Sequence, residues 1–289
     1  ITGQFSLGHA GFMALGAYFS AISTKTGVLG LANLIPVPEG FGFLLSLVIG
    51  GAVAALAGFV IGLPTLRLRG DYLGIATLGF GEIIRITFLN WEYVGGASGY
   101  SGVPRHTNFT WAFILAIIAV ILIRNFISSS HGRACISIRE DEIAAETMGI
   151  NTTKYKVTAF VIGAFFAGIS GALLTHMMRL AHPNMFTFLV SVEVLLMVVL
   201  GGLGSITGSI AAAVFLAFFS EWFRQFGAIR MLIYSFMMII IMLFRPRGLL
   251  GSREISLLLL RQGIQDLIIL PRRIRDRFTK EPDRQKGVG

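Results

Sequence analysis

The stretch HGRACISIREDEIAAETMGINTTKY, residues 131–155, separates two long apolar blocks and carries a dense run of charge between them. Ser137 followed by Glu140 is typical of a capping box, in which each side chain accepts a hydrogen bond from the other residue's backbone N–H. Gly149 stands where a left-handed residue would end a helix. The stretch therefore predicts a short helix over about residues 138–148, and its charges keep that helix out of the lipid.

The residues around this helix are consistent with its predicted start and with a second helix after it. Asp141 and Glu142 would lie in the first turn, where the positive end of the helix dipole stabilises carboxylates. Asn151, Thr152 and Thr153 offer caps for a following helix, which enters the second apolar block at Val157. The charged helix is thus suspended between two hydrophobic segments.

Two interpretations of this helix are open. In the first it is a solvated loop that happens to be helical, since runs of charge are usually just exposed to water. In the second it docks into a groove of a partner protein, because Ala144, Ala145 and Met148 would form a small, packable face among the carboxylates. Only the second interpretation gives the segment a function.

The composition places the chain in a membrane. Hydrophobic residues make up 54% of the chain and charged residues 13%, and the mean hydropathy of +0.76 lies far outside the soluble range. We predict an all-α fold, a polytopic transmembrane bundle over residues 1–251 with about eight spans. The spans expected are 1–22, 41–63, 72–90, 109–127, 157–176, 186–202, 211–223 and 230–244. The start reads as the middle of an element, so we expect at least one further helix before it.

Small residues indicate where spans pack against one another. Gly58 and Gly62 are separated by three residues, a spacing that gives a neighbouring helix a small face to approach. Gly163, Gly168 and Gly171 predict a similar seam along the span that follows the charged helix. Residues 1–22 are also rich in Gly and Ala, which allows close backbone approach between helices.

Gly- and Ser-rich interruptions occur in two of the apolar runs. The first lies within residues 1–22, and the second is GGLGSITGS at residues 201–209. Such breaks can mark discontinuous helices that line a path, and their pairing fits an inverted internal repeat. The second break lacks the lysine of a phosphate-binding loop, so it predicts no ATP site.

Four polar residues inside the spans are candidates for a translocation path. Glu82 and Arg85 lie one turn apart, so they either satisfy each other as a buried pair or belong to the path. Glu193 is the one charge in its span, and is either functional or placed near the outer interface. His9 is either a packing residue with a hydrogen bond or part of the same path.

The histidines do not converge on a catalytic site. They are His9, His106, His131, His176 and His182. His176 and His182 could share a metal in principle, but no third ligand lies near them in sequence. We predict no enzymatic activity, no metal and no cofactor, and Cys135, the one cysteine, excludes an intramolecular disulfide.

Basic residues lie mostly on one side of the predicted spans. That side holds Arg67, Arg69, Arg133, Arg139, Lys154, Lys156, Arg245 and Arg247, and the other holds Lys25, Arg105, Arg179 and Arg224. The positive-inside rule makes the first side the cytosol, so the charged helix is predicted to be cytosolic. The net charge of +9 is then directed towards the acidic inner leaflet and not towards nucleic acid.

The tail, residues 252–289, changes character. Its segment 257–270 is apolar on one side but too polar to span, which predicts an interfacial or partner-bound amphipathic helix. After Pro271 come seven basic residues against three acidic ones. A polybasic segment beside a bilayer indicates a cytosolic tail.

Several motifs resemble one family. They are IREDEIAAETMGIN (138–151), LRLRGDYLGIATLGFGEIIRI (66–86), GQFSLGHAGFMALGAY (3–18) and GGASGYSGVPR (95–105). The chain resembles the permease subunits of branched-chain amino-acid ABC importers, within the binding-protein-dependent transport permeases. The resemblance covers residues 1 to about 251, and it identifies the central loop as the segment that meets the ATPase subunits.

The resemblance implies a complex in a bacterial plasma membrane. A second permease subunit, two cytosolic ATPase subunits and a periplasmic or extracellular binding protein would be the partners. Leucine, isoleucine, valine or a related small amino acid would be the cargo, although relatives carry urea or short amides. The implied coupling residues are Glu140, Asp141, Glu142, Ala144, Ala145, Met148 and Gly149. The rival class is an ion-coupled secondary transporter that uses Glu82 and Glu193, which would leave the charged helix without a purpose.

Overall fold

The computed structural model describes residues 2–26, 39–66, 68, 71–226, 235–236 and 243. Its helices are α1 (His9–Lys25), α2 (Glu39–Thr65), α3 (Asp71–Asn90), α4 (Phe109–Ser128), α5 (Ser130–Glu140), α6 (Glu142–Thr147), α7 (Thr152–Met178), α8 (Phe188–Gly201) and α9 (Ile206–Trp222). Two short strands, β1 (Tyr100–Ser101) and β2 (Leu180–Ala181), pair antiparallel.

Apolar helices of membrane-spanning length dominate this part of the chain. Among the described residues, five segments qualify by length and composition: 40–65, 72–90, 109–128, 152–178 and 183–201. The chain is a multi-pass helical membrane protein. The predicted spans 1–22 and 211–223 are not among these five, since α1, which begins at His9, and α9 have 17 residues each. The predicted span 230–244, apart from residues 235, 236 and 243, and the tail 252–289 lie outside the described residues.

The helices α1, α2 and α7 form the centre of the first compact unit, Ile1–Leu196. Their backbones approach so closely that a methyl group on Gly168 would lie 2.6 Å from the Ala54 Cβ, and one on Gly16 would overlap the Gly168 backbone. Small residues are what permit such approach between helices in lipid. The predicted seam on α7 is therefore confirmed at Gly168, but it is wrong at Gly163, where an added methyl would meet nothing within 4 Å.

One end of this unit is closed by the loop at residues 91–108, and we call it the loop end. β1 in this loop pairs with β2, which follows α7. Lys25, at the end of α1, donates to the Ser101 carbonyl at 3.2 Å and lies 4.5 Å from the centre of the Tyr100 ring. The two loops and the end of α1 therefore share one side, as the alternation of spans predicts.

The opposite end carries α5 and α6, and we call it the helical end. Leu66, Leu73 and Val157 form a buried cluster there, which joins the end of α2 to the starts of α3 and α7. The starts of α3 and α7 thus lie on the same side as the charged stretch.

The second Gly- and Ser-rich break separates α8 from α9. Gly202 and Gly204 have φ angles of +114° and +96°, which a residue with a side chain rarely adopts. Ser205 then caps α9 by accepting a hydrogen bond from the Gly208 N–H at 3.0 Å. The predicted interruption of the apolar run is confirmed, and it is a helix end followed by a new capped helix.

Candidate functional site

The charged stretch is a pair of helices and not the single helix predicted over residues 138–148. α5 begins eight residues earlier, because the Ser129 hydroxyl caps it by accepting from the Gly132 N–H at 3.3 Å. The predicted capping box is wrong. Ser137 lies inside α5, where its hydroxyl donates to the Ala134 carbonyl at 2.9 Å, and Glu140 is the last residue of that helix.

Asp141 makes the true cap. Its backbone is extended, with φ −153° and ψ 111°, so it ends α5 and begins α6. Its Oδ1 atom accepts hydrogen bonds from the N–H groups of Ile143 at 2.9 Å and Ala144 at 3.0 Å. A carboxylate that binds two free N–H groups at a helix start is both a cap and a favourable charge for the dipole.

α6 ends at the predicted glycine. Gly149 has a φ of +85°, its N–H donates to the Glu146 carbonyl at 3.0 Å, and the Ile150 N–H donates to the Ala145 carbonyl at 3.1 Å. These two bonds define a Schellman motif, which satisfies the last carbonyls and turns the chain. The prediction of a left-handed residue at Gly149 is confirmed, and both ends of a six-residue helix are fixed.

The exposed face of α6 differs from the predicted one. Ala145 is only 4% exposed and faces the protein, whereas Ile143 is 66% and Met148 83% exposed. Ala144 is also exposed, so the outward apolar face consists of Ile143, Ala144 and Met148, which we call the α6 face. Sequence reasoning missed Ile143 because the helix was started too early; counting from Asp141 places it in the first turn.

Acidic side chains border the α6 face. Glu140, Asp141 and Glu146 are all exposed, and the Glu140 carboxylate is paired with its neighbour Arg139 at 2.5 Å. The helix pair therefore presents apolar side chains beside three exposed carboxylates, one of them paired with Arg139, at the end of the unit that holds neither β strand.

Three contacts fix the helix pair to the start of α7. The Lys156 ammonium lies 2.7 Å from the Glu142 carboxylate, and Lys156 is buried. The Cys135 thiol donates to the Tyr155 carbonyl at 3.8 Å, and the His131 and Tyr155 rings meet edge to face with centroids 5.9 Å apart. Burial raises the pKa of the Cys135 thiol, so this group is a packing residue and not a reactive one. Sequence reasoning did not pair Lys156 with anything.

A cleft of about 270 Å³ lies beside these contacts. Residues 2–5 form one wall, and Arg139, Glu142 and Lys156 contribute charged groups to the other. The segment that precedes α1 is therefore at the helical end of the unit, on the side opposite Lys25.

The predicted pair inside the membrane is present. The Arg85 Nε donates to the Glu82 Oε2 at 2.7 Å, and both side chains are partly exposed. Glu82 also lines a cavity of about 10 Å³ together with Ser191 and Ala10, and the Ser191 hydroxyl accepts from the Ala10 N–H at 2.9 Å. The start of α1 is thus capped by α8, a contact that no local pattern in the sequence indicated.

The other two path candidates lie apart from that cavity. Glu193 is exposed on α8. The His9 Nδ1 donates to the Ser6 carbonyl at 3.1 Å, which is a local bond at the first turn of α1. The structure brings Glu82 and Arg85 together, and it places neither Glu193 nor His9 in the lining of the same cavity.

His176 and His182 are held by separate partners. The buried His176 ring donates from Nδ1 to the Pro104 carbonyl at 3.0 Å, and its Nε2 is hydrogen-bonded to the Ser20 hydroxyl, 3.1 Å away. His182 bonds through Nε2 to the Ala97 carbonyl at 3.1 Å. In the described part of the chain, no group of three or more potential ligands could hold a metal ion.

Fold and site together define a multi-pass membrane protein with a rigid helix pair held at one end of its bundle. The chain belongs to the family described as branched-chain amino acid transport system / permease component, whose model matches residues 1–244.

The curated relatives carry names of the same kind. The high-affinity branched-chain amino acid transport system permease protein LivM of Salmonella typhimurium is 38% identical over 285 residues, which cover 86% of this chain and 64% of that protein. LivM of Escherichia coli K12 gives the same identity and coverage. A probable branched-chain amino acid transport permease protein LivM of Methanocaldococcus jannaschii is 25% identical over 252 residues, 75% of this chain and 70% of that protein.

The chain thus spans a little under two thirds of the length of the two enterobacterial relatives, 64% in each case. No solved structure matches it with statistical significance.

Proposed function

We propose that this chain is a transmembrane permease subunit of an ATP-driven importer for branched-chain or related small amino acids, coupled to its ATPase subunits through α5 and α6. Family membership and the names of the relatives support transport and the class of cargo. The α6 face is the observation that carries the coupling.

The α6 face is suited to a protein partner. Ile143 and Met148 are large apolar side chains left mostly exposed on a helix whose other surface is buried at Ala145. Burying such side chains against a groove stabilises a complex by about 1.5–3 kcal/mol each. The exposed carboxylates of Asp141 and Glu146 beside this face would suit a groove with basic residues at its rim.

The capped ends make this helix a rigid contact. Asp141 fixes the first turn and Gly149 fixes the last, so the apolar side chains are presented without an entropic cost of ordering the helix on binding. A flexible loop of the same composition would lose affinity to that cost. The geometry therefore favours docking over the solvated-loop interpretation.

The orientation follows from the basic residues. Arg133, Arg139, Lys154 and Lys156 belong to the helical end, and the positive-inside rule makes this end cytosolic. The ATPase subunits would meet α5 and α6 there, and a binding protein would meet the loop end outside. The polybasic tail would be cytosolic, and the membrane would be the bacterial inner membrane.

Residues 1–251 are inferred to hold about eight spans in an inverted repeat, with a second permease subunit beside them. The path for the cargo would pass the start of α1, where Glu82 and Ser191 line the small cavity and Arg85 balances the Glu82 charge. His9 and Glu193 would act outside that cavity, at the turn before α1 and on the outward face of α8.

Substituting the exposed apolar residues tests the coupling. Ile143→Arg and Met148→Arg should leave the protein level unchanged, abolish co-purification with the ATPase subunits and abolish ATP-driven leucine uptake into proteoliposomes. Thr153→Arg is the matched control, since Thr153 is exposed but lies outside α6. Wild-type binding and uptake in both variants would refute the proposal, and uptake of urea in place of leucine would correct the cargo.

A further inference from the structure

Lys156 is the one lysine or arginine that is buried among the residues with described side chains. An ammonium group is costly to remove from water unless a countercharge accepts its hydrogen bonds. The Glu142 carboxylate is that countercharge, at 2.7 Å, and only 28% of the Glu142 side chain is exposed. The contact is therefore an internal ion pair, unlike the exposed Arg139–Glu140 pair.

The pair joins two elements with different roles. Glu142 is the first residue of α6, directly after its cap, and Lys156 lies in the second turn of α7. α7 is the span that packs against both α1 and α2 at the close approach of Gly168. The pair thus connects the base of the exposed helix to the central span of the unit.

We propose that Glu142 and Lys156 are positioning residues that transmit movement of α6 to α7, and that Glu142 makes no contact with an ATPase subunit. The inference rests on the proposed function, and it separates docking, which belongs to the α6 face, from transmission, which belongs to the pair. A charged pair suits transmission because it fixes distance and direction together, whereas an apolar contact permits sliding.

Removal of the Glu142–Lys156 pair should uncouple ATP hydrolysis from leucine uptake. Replacing both partners of a buried ion pair by apolar residues usually preserves folding, whereas removing one partner leaves a buried unpaired charge. Glu142→Met with Lys156→Met should therefore accumulate, bind the ATPase subunits and hydrolyse ATP. Leucine uptake per ATP hydrolysed should fall about tenfold, within the usual range of coupling between sites.

The controls isolate the pair from its surroundings. Lys154→Met removes a lysine two residues away that is exposed, and it should leave uptake per ATP at the wild-type value. Lys156→Glu alone should lose coupling, and Glu142→Lys combined with Lys156→Glu should restore it by reversing the pair.

The outcomes distinguish failure of the role proposed for the Glu142–Lys156 pair from failure of the proposed function. Wild-type uptake per ATP in the double methionine variant would overturn the role of the pair. If that variant does not accumulate, the reversed pair decides, and a reversed pair no better coupled than Lys156→Glu alone would overturn it. Ile143→Arg, measured in parallel, tests the proposed function separately. If Ile143→Arg loses ATPase binding while the double methionine variant stays fully coupled, the proposed function stands and only the role of the Glu142–Lys156 pair is rejected.

Discussion

Asp141 and Ile143 are joined by a hydrogen bond of 2.9 Å from the Ile143 N–H to the Asp141 Oδ1, so the residue that caps α6 also fixes the backbone that carries the exposed Ile143 side chain. The α6 helix has six residues, too few to be stable without fixed ends. Its capping is therefore as important to the α6 face as the apolar side chains themselves.

Asp141→Ala should loosen α6, whereas Asp141→Asn should not. Alanine removes the acceptor for two N–H groups and costs about 1 kcal/mol of helix stability, and asparagine retains an acceptor oxygen. Hydrogen exchange of the Ile143 and Ala144 amides measures the effect directly. Equal protection in the two variants would contradict the capping role.

Gly149→Val should be more damaging than Gly149→Asn. A β-branched side chain at a φ of +85° is strained by about 1–2 kcal/mol, and asparagine adopts this region far more readily. The space around the position is open, so the difference would arise from backbone strain and not from a clash. We expect weaker ATPase co-purification in the valine variant, and similar behaviour of the two variants would show that the end of α6 has no part in docking.

Gly168→Ala should destabilise the membrane bundle, and Gly163→Ala on the same helix should not. The first methyl would meet the Ala54 Cβ at 2.6 Å, an overpacking that costs about 1–3 kcal/mol. The second methyl would point into open space. Thermal unfolding in detergent tests the pair of variants, and equal melting temperatures would argue against close packing of α7 on α2.

Cysteines introduced at Ser98 and Glu146 should differ in their access from outside the cell. Both positions are exposed, one at the loop end and one on α6. Native Cys135 is buried and its thiol pKa is raised by that burial, so it adds little background labelling. An impermeant maleimide should label Ser98→Cys alone in whole cells. Labelling of Glu146→Cys under these conditions would reverse the proposed orientation.

Substitutions at Glu82 and Arg85 distinguish a role of this pair in protein stability from a role in transport. Glu82→Gln leaves the Arg85 charge without its partner and should lower the protein level, whereas an apolar replacement of both residues should be milder. Immunoblotting and leucine uptake measure the two effects. A double variant that folds but shows no leucine uptake would place the pair on the translocation path. A double variant with normal uptake would show that the pair has only a structural role.

The sequence predicted the features that depend on local chemistry. The helix at 72–90 follows from the length of an apolar run, and the turn at Gly149 from the residue type at a helix end; the structure confirms both. Of the alternatives that the sequence left open, the structure shows the cap at Asn151 and the contact between Glu82 and Arg85. The start of the charged helix was predicted wrongly because two cap signals compete. Ser129 begins α5 first, and the Ser137 hydroxyl is then used inside that helix.

The remaining features depend on contacts between distant residues. The Ser191–Ala10 bond and the Lys156–Glu142 pair join elements whose approach is set by packing of whole helices. The burial of Ala145 has the same origin, since a short helix has two faces and only its attachment to α7 decides which is hidden. No local pattern carries that information.

Cross-linking from the α6 face tests the central claim most directly. A photoreactive amino acid would be placed at residue 143, 148 or 153 in the intact complex, and the cross-linked partner would be identified by mass spectrometry. We predict cross-links to an ATPase subunit from residues 143 and 148 and none from residue 153. Absence of ATPase cross-links from 143 and 148 in an assembled, transporting complex would contradict it.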